Sequence, residues 1–485
     1  MITWGISANS HDAALAVFND EGLEFASHAE RFSGIKNDPH LNDKLIEYAR
    51  QWGDPNEVVW YERPFRKSLR QLGAGQGFRF GENNIRRYLG SHGIHVPIRY
   101  VDHHLSHAAA GYYTSDFTDA CVVVCDSIGE FDTLTIWDAK ETKLKKVYKQ
   151  TYPNSVGLWY SALTQRVGLK PQEDEYILMG MAAYGDPDRL YHDVKQDFIE
   201  VGDRPLIKIK QNLHRGCKDW RPDLTTEQDM YDIAAAAQAV YEDILRWVLG
   251  RAARLSDSKN LVLMGGCALN CSANNLAYDY FDNMWIMPNP GDAGSAIGCV
   301  LADKKQFMPM PHAYLGYNIK GEYPVEQIIH ELKHTGICGV ANGRAEFGPR
   351  ALGNRSLLAD PRRTNIKHTV NQIKQRQQFR PFAPAVLDEH AGEYFSGQTG
   401  PFMQYTSTCT DPRLSSITHR DGTSRVQTVS ADQGSGFRRL LERWYQETDC
   451  PVLLNTSLNI KGQPIVNTRL DAIQFEKLYK IKVFT

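Results

Sequence analysis

His103 and His107 stand four residues apart in VDHHLSHAAAGYY, and on a helix that spacing sets two imidazoles on one face, converging on one point. Ala120 to Cys125 (ACVVVC) reads as a buried strand. Asp126 sits where that strand ends, and Asp292, inside the Gly-rich turn NPGDAGSAIG, is the best candidate for a fourth ligand. The chemistry expected of this set is that of a catalytic divalent metal. Two imidazoles and two carboxylates suit Fe(II), Mn or Zn better than Ca or Mg. His104 leaves the choice of pair open on spacing alone, because His104 and His107 at i, i+3 also share a face. No glutamate follows the first histidine, so the HExxH pattern of metalloproteases is absent.

A second chemistry is written in basic residues. Between Arg344 and Arg380 there are nine Lys or Arg against only Glu346 and Asp360. Gly, Pro and Phe are interleaved too densely there for one regular helix, so the arginines hang from turns and strand ends. Forks in that setting suit bidentate recognition of a small phosphorylated ligand better than a polynucleotide surface. Downstream, LLNTSLNIKG supplies Asn455, Thr456, Ser457 and Asn459 as donors for a carbamoyl or phosphate group. A third basic stretch, Arg63 to Arg87, carries seven Lys or Arg against Glu82 alone. It reads as a surface loop. If it instead faces a binding cleft, the molecule bound there is itself anionic.

The elements that position these groups are legible in outline. ITWGISANSHDAALAVFNDEGLEFASHAER reads as strand, turn, strand, turn, strand, and Ala120 to Tyr148 repeats that logic around the turn DSIGEFD. A duplicated unit of this kind is the sequence shape of the actin, sugar kinase and Hsp70 class of ATPase, whose paired turns flank a bound nucleotide. NLVLMGGCALNCSANN adds an apolar strand running into Gly-Gly and a helix of small residues, suited to close backbone approach to an anion. Gly157 to Gly185 and Tyr231 to Trp247 read as helical, Gln196 to Thr226 as a polar, irregular excursion. A Pro- and Gly-rich stretch near residues 310–330 marks a domain boundary.

Bulk properties narrow the class. At 485 residues two domains are expected. A formal net charge of −2 gives no global attraction to nucleic acid or anionic membrane. No 18-residue apolar run and no basic-then-apolar leader is present, and the nine scattered cysteines contain no CxxC pair. These features fit reduced thiols in a cytoplasmic protein.

Ten ordered blocks, among them GISANSHDAA, DHHLSHAAAGYY, CDSIGE, LMGMAAYGD, MGGCALNCSANN, NPGDAGSAIG, GRAEFGPRALGNRSLLADPR, QRQQFRPFAPAVL and LLNTSLNIKGQPIV, resemble the O-carbamoyltransferase family of nodulation-factor, cephem and aminoglycoside modification. They run from residue 5 to about residue 466. The resemblance implies an α/β protein. Residues 1–320 would form an actin-like, metal-binding domain similar to tRNA threonylcarbamoyl transferases, and residues 321–485 a smaller α/β domain similar to threonylcarbamoyl-AMP synthases. It further implies that the second domain makes carbamoyl-adenylate from ATP and carbamoyl phosphate, and that the first transfers the carbamoyl group to an acceptor hydroxyl.

By the same resemblance the metal ligands fall on His103, His107, Asp126 and Asp292, with Fe2+ favoured and Mn2+ or Zn2+ as alternatives. His11 falls on a catalytic histidine near the acceptor. Gly129, Glu130, Gly180, Gly265, Gly266 and Asn270 fall on the nucleotide side. Lys36, Arg344, Arg350, Arg355, Arg376, Arg380, Asn455 and Ser457 fall on the region handling carbamoyl phosphate. The expected partner is a small hydroxylated molecule, with a hydroxymethylated base in a nucleic acid as the alternative; a homodimer is allowed and a membrane is not expected. The chain departs from the family in ending soon after the NTSLN block and in a short excursion between Gly185 and Tyr231. A different class, an actin-like nucleotide-switched binding protein without transfer chemistry, would leave both the metal set and the arginine block unused.

Overall fold

Short apolar runs broken by turn residues make the first sheet. Its strands are β1 (Thr3–Ser7), β2 (Ala14–Phe18), β3 (Leu23–His28), β4 (Glu57–Trp60) and β5 (Ile98–Tyr100). Their order is β3-β2-β1-β4-β5. The first three are antiparallel, and β4 and β5 run parallel to β1. The second sheet contains β6 (Asp119–Cys125), β7 (Asp132–Lys140), β8 (Lys143–Thr151), β9 (Asn260–Met264) and β10 (Asn283–Trp285). It has the same plan: β6, β7 and β8 are antiparallel, and β9 and β10 are parallel to β6 on its other side. The repeat anticipated from the two hairpins is therefore a duplication of a whole five-stranded sheet, the architecture of actin-like ATPases. The computed structural model describes residues 1–433 and 435–485.

Three helices of this unit carry the argument. They are α1 (Pro64–Gly73), α2 (His103–Tyr112) and α3 (Glu227–Leu255), the last opened by a Thr226/Asp229 capping box. Residues 64–73, expected as loop, are helical, with Pro64 in the first turn where its missing N–H costs nothing. A fourth helix, α4 (Ser295–Lys304), starts directly behind Asp292. Gly111 of α2 lies against Val262 and Met264 of β9, while α4 lies against β1. The two helices meet at Gly298, where an added Cβ would fall 1.9 Å from the carbonyl oxygen of Ser106. Only glycine allows that approach, and it brings Asp292 to the histidine pair.

The segment after Gly266 departs from expectation. Short 3₁₀ turns, Gly266–Leu269 and Asn274–Asp279, replace a helix. Asn270 accepts from the Ala273 amide and Asn274 donates to the Ala268 carbonyl, so side chains compete for the backbone. The excursion of residues 196–226 is more ordered than its composition suggests, since Ile199–Val201 and Ile207–Ile209 pair as a hairpin.

The second unit holds a six-stranded mixed sheet. Its strands are β11 (Ile337–Ala341), β12 (Arg355–Ala359), β13 (Ala383–Leu387), β14 (Gln427–Val429), β15 (Val452–Ser457) and β16 (Val483–Phe484), in the order β14-β13-β15-β12-β11-β16. Alternate residues feed opposite faces. Cys338, Val340, Leu358, Ala385 and Leu453 pack under α5 (Val325–His334) and α7 (Gly436–Thr448). Ile337, Leu357, Val386, Val452 and Leu454 pack under α6 (Ile366–Ile373) and α8 (Arg469–Tyr479). The chain divides into Met1–Ala29 with Asp38–Met310, and Glu30–Asn37 with Pro311–Thr485. The excursion of residues 30–37 into the second unit has a physical anchor. Buried Arg31 donates to the Gly348 carbonyl at 2.9 Å, and Phe32 meets Tyr317 edge-on. Among the described residues no helix is long and apolar enough to cross a membrane, and all nine cysteines are free thiols.

Candidate functional site

His103 opens α2 and His107 follows one turn later. Both are buried, with Nε2 atoms 3.1 Å apart. Asp126 reaches His103 from the end of β6 at 3.5 Å. Asp292 reaches His103 at 3.4 Å and His107 at 3.3 Å from the turn before α4. One ligand atom from each of the four residues lies within 4.8 Å of the others. His104 faces elsewhere, its Nδ1 on the Thr135 hydroxyl at 2.9 Å. The i, i+4 pair is thus the convergent one.

The groups behind these side chains orient them. His107 Nδ1 lies 3.1 Å from the Pro290 carbonyl, which can only accept, so Nδ1 carries the proton and Nε2 turns a lone pair inward. Asp126 accepts from the Gly266 amide at 3.0 Å. Gly265 adopts φ +89°, and a Cβ there would fall 2.2 Å from the Cys125 carbonyl. The Gly-Gly pair thus fits closely around the Asp126 carboxylate. Glu130 takes the amides of His103 and Arg63, closing the N-terminus of α2; burial holds its carboxyl above the usual range.

Electrostatics sharpen the picture. Burial would lower the His103 pKa, but Asp292 and Asp126 hold it well above the ordinary imidazole value. Burial would raise Asp292, yet His103 and His107 hold it well below the carboxylate range. Asp126 is lowered in the same way, against its burial and the charge of Asp292. A buried carboxylate, Asp126, and a largely buried one, Asp292, facing two buried imidazoles form a strong demand for positive charge, since unpaired buried charge is costly. Two nitrogens and two oxygens fit Fe2+, Mn2+ or Zn2+.

His11 stands in the turn after β1, between Asn9 (φ 64°) and Asp12 (φ 53°), two left-handed residues of the types that tolerate it. Its Nδ1 lies 3.4 Å from Asp12, and 40% of the side chain is exposed. Burial of the remainder would lower its pKa, but Asp12, and at longer range Asp292, push it up to about 9. The residues expected on the nucleotide side are spread more widely. Gly129 packs against His103 and His104, Asn270 is bonded to Gln238, and Gly180 has open space beside it.

In the second unit the structure singles out Lys374, which sequence reading passed over. Its ammonium is buried and donates to the Ser457 carbonyl and hydroxyl and to the carbonyl and side chain of Asn459. No carboxylate pairs with it among the described residues. Burial, then Arg376 and Arg380, hold its pKa well below the lysine range. Arg376 is fixed by Asn371 at 2.6 Å and lies over the Phe382 ring at 4.2 Å. Ser457, Arg376 and Arg380 therefore gather around Lys374. The Lys-x-Arg spacing beside an Asn-Thr-Ser-Leu-Asn strand end was the available signal.

The other expected residues sit differently. Arg355 is fully buried, and its guanidinium donates to the carbonyls of Asn467, Asn342, Gly343, Asn354 and Tyr317. These bonds make Arg355 a clasp for backbone in the second unit. Asn455 is buried between the Ala351 carbonyl and Gln427. Arg344 donates to Leu315, Arg350 lies half-buried in a loop, and Lys36 pairs with Glu30 at 3.2 Å.

The family model described as Carbamoyltransferase N-terminus matches residues 90–301, and that of the Carbamoyltransferase C-terminus matches residues 329–485. The uncharacterized protein sll1178 of Synechocystis sp. is 31% identical over 96% of this chain and 93% of its own length. Nodulation protein NolNO of Sinorhizobium fredii is 30% identical over 96% of this chain and 76% of its own. The 3'-hydroxymethylcephem-O-carbamoyltransferase of Amycolatopsis lactamdurans is 28% identical over 96% and 94%. Among solved structures, HypF of T. kodakarensis aligns at 10% identity and TM-score 0.37 over 63% of this chain and 48% of that one, a likeness too slight to bear on chemistry.

Proposed function

Because the chain belongs to the carbamoyltransferase family, we propose that it is an ATP-dependent O-carbamoyltransferase acting through carbamoyl-adenylate on a hydroxyl of a small molecule. Membership in a family of transferases sets aside the competing class, a nucleotide-switched binding protein without chemistry. Adenylation belongs to the second unit in this reading. Water cleaves carbamoyl phosphate to carbamate and inorganic phosphate; a carbamate oxygen then attacks the α-phosphorus of ATP, forming carbamoyl-adenylate as pyrophosphate leaves. The observation that carries the reading is Lys374: a buried ammonium held, among the described residues, by neutral oxygens alone and flanked by Arg376 and Arg380. A phosphate group supplies a negative charge for the Lys374 ammonium, which has no carboxylate partner among the described residues.

Transfer belongs to the first unit. The acceptor hydroxyl attacks the carbamoyl carbon, its proton goes to His11, and AMP leaves. His103, His107, Asp126 and Asp292 would hold a divalent ion, which when bound supplies a Lewis acid for the adenylate. Their neighbours keep the four side chains converged: Pro290 fixes the His107 ring, Gly266 the Asp126 carboxylate, and Glu130 the start of α2.

The test is carbamoyl-phosphate-dependent release of pyrophosphate from ATP by the purified chain. Wild type is expected to require both substrates, and Lys374→Met to lose about 10²- to 10³-fold in rate, the scale for removing one preorganised donor. Pyrophosphate release that ignores carbamoyl phosphate, or survives Lys374→Met unchanged, would refute the assignment.

A further inference from the structure

Helix α1 turns Lys67 and Ser68 inward and leaves Phe65, Leu69 and Leu72 exposed. Its cations are partnered unequally. Arg66 shares Asp102 with Arg63, and the Lys67 ammonium donates to Glu62 at 2.7 Å. Arg70, one turn beyond Lys67, is half-buried, yet among the described residues no carboxylate pairs with it. Its Nη1 donates to the side-chain oxygen of Gln76 at 3.3 Å, while its Nε is buried without an acceptor among those residues. Burial lowers its pKa, and Glu62, itself held by Lys67, offsets this only in part.

The same carboxamide holds a histidine from the excursion of residues 196–226. Gln76 Nε2 lies 2.8 Å from His214 Nε2. A guanidinium can only donate, so the Gln76 oxygen faces Arg70 and its NH2 group faces His214. His214 Nε2 therefore accepts, and in the neutral ring Nδ1 carries the proton. Burial, then the charges of Arg70 and Arg215, hold the His214 pKa below the ordinary imidazole value, which favours that neutral ring. Its Nδ1 is buried and, among the described residues, has no partner. The ring itself is fixed: Asn212 caps the turn Leu213–Arg215, and Tyr152 meets the imidazole edge-on at 6.0 Å. Two buried N–H donors, one of them on a charged group, are thus joined through one side chain and left unsatisfied by protein, which is costly. Lys67 shows the usual remedy, a carboxylate. Here that place is open.

We infer that Arg70, Gln76 and His214 form a binding site for an oxyanion, the phosphate or carboxylate group of a small molecule. One edge of a guanidinium, Nε–H with Nη2–H, matches two oxygens of such a group, and the His214 Nδ1–H supplies a further donor. Gln76 is the positioning residue for both. The site uses none of the residues assigned to adenylation or transfer, so it stands independently of those readings. It is tested by calorimetric titration of inorganic phosphate into the full chain carrying Lys374→Met, which removes the ammonium proposed to meet phosphate in the second unit. Phosphate is expected to bind this protein. Adding Arg70→Met should weaken binding about tenfold or more, the scale of a lost hydrogen bond to a charged group. Adding His214→Phe, which keeps the ring beside Tyr152 but not the donor, should weaken it about threefold, the scale of a neutral one. Gln76→Glu is the sharper variant, because it supplies the missing carboxylate from within. Phosphate binding should then be lost while the thermal transition rises; a cluster of purely structural use would show the rise with no binding to lose. Glucose 6-phosphate that binds at least as tightly as phosphate, with glucose silent, gives the anion to an organic ligand. Phosphate binding alone gives it to a free ion, and both results support the site. Absence of phosphate binding, or binding left unchanged by Arg70→Met and Gln76→Glu in folded protein, overturns the proposal.

Discussion

The turn after β1 and the turn after β6 hold equivalent places in two sheets of the same order, yet they are built in opposite ways. The first presents His11 half to solvent, between two left-handed residues, with the Asp12 carboxylate beside its ring. The second is closed. Asp126 and Glu130 are buried, and each has its carboxylate on backbone amides of other segments. The difference follows from what each turn does in the proposed reaction. A group that must exchange a proton needs water and some freedom, whereas groups that hold a cation must converge before it arrives. Duplication supplied one scaffold position twice, and the two copies took opposite demands.

The comparison breaks most sharply at Asp126. Asp126→Ala should lower metal content, read by elemental analysis, and reduce affinity by more than about 100-fold, beyond the range seen for supporting residues. Stoichiometric metal in this variant would remove the closed turn from the site. His11→Asn should leave metal content and pyrophosphate release intact while slowing single-turnover transfer by about 10²- to 10⁴-fold. The pH dependence carries the sign. A base must be deprotonated to act, so with a pKa held up to about 9, wild-type transfer should rise with pH and level near there. The plateau moves lower to the extent that a bound cation offsets Asp292. The His11→Asn profile should lack this limb, and an unchanged limb would assign it to another group. The smallest effect is expected at Glu130. Glu130→Gln keeps an acceptor for the His103 amide but removes its charge at the start of α2, so metal affinity should weaken by about 10-fold with only a slight loss of stability. An effect as large as that of Asp126→Ala would mean that Glu130 touches the metal or substrate directly.

Much of this was legible from residues alone, for reasons that also explain the misses. His103 and His107 stood out because helical spacing maps directly onto a face, and Asp126 because a run of buried residues ends at it. The repeated sheet was foreshadowed by two hairpins, but the parallel strands β4, β5, β9 and β10 lie far along the chain, and only the structure shows that they complete the repeat. Lys374 escaped because a lysine among arginines reads as solvated charge; nothing in its spacing shows that its ammonium ends on Ser457 and Asn459. The backbone partners of Arg355 were hidden for the complementary reason. A guanidinium has the same composition whether it meets phosphate or five carbonyls. Phe65, Leu69 and Leu72 have the spacing that ordinarily marks a buried face, and only the contacts of Lys67 and Ser68 reveal which way the helix rolls.

Arg355 has a consequence for how the second unit comes apart. Its guanidinium joins carbonyls at Tyr317, Asn342, Gly343 and Asn354, early in the main stretch of that unit's sequence, and at Asn467, close to its end. Moving any one of these segments away leaves a buried cation short of an acceptor, so partial opening is penalised nearly as heavily as complete opening. Fraying strand by strand is thereby suppressed, and the sheet behind the Lys374 cluster behaves as a single cooperative unit whose protected amides exchange together.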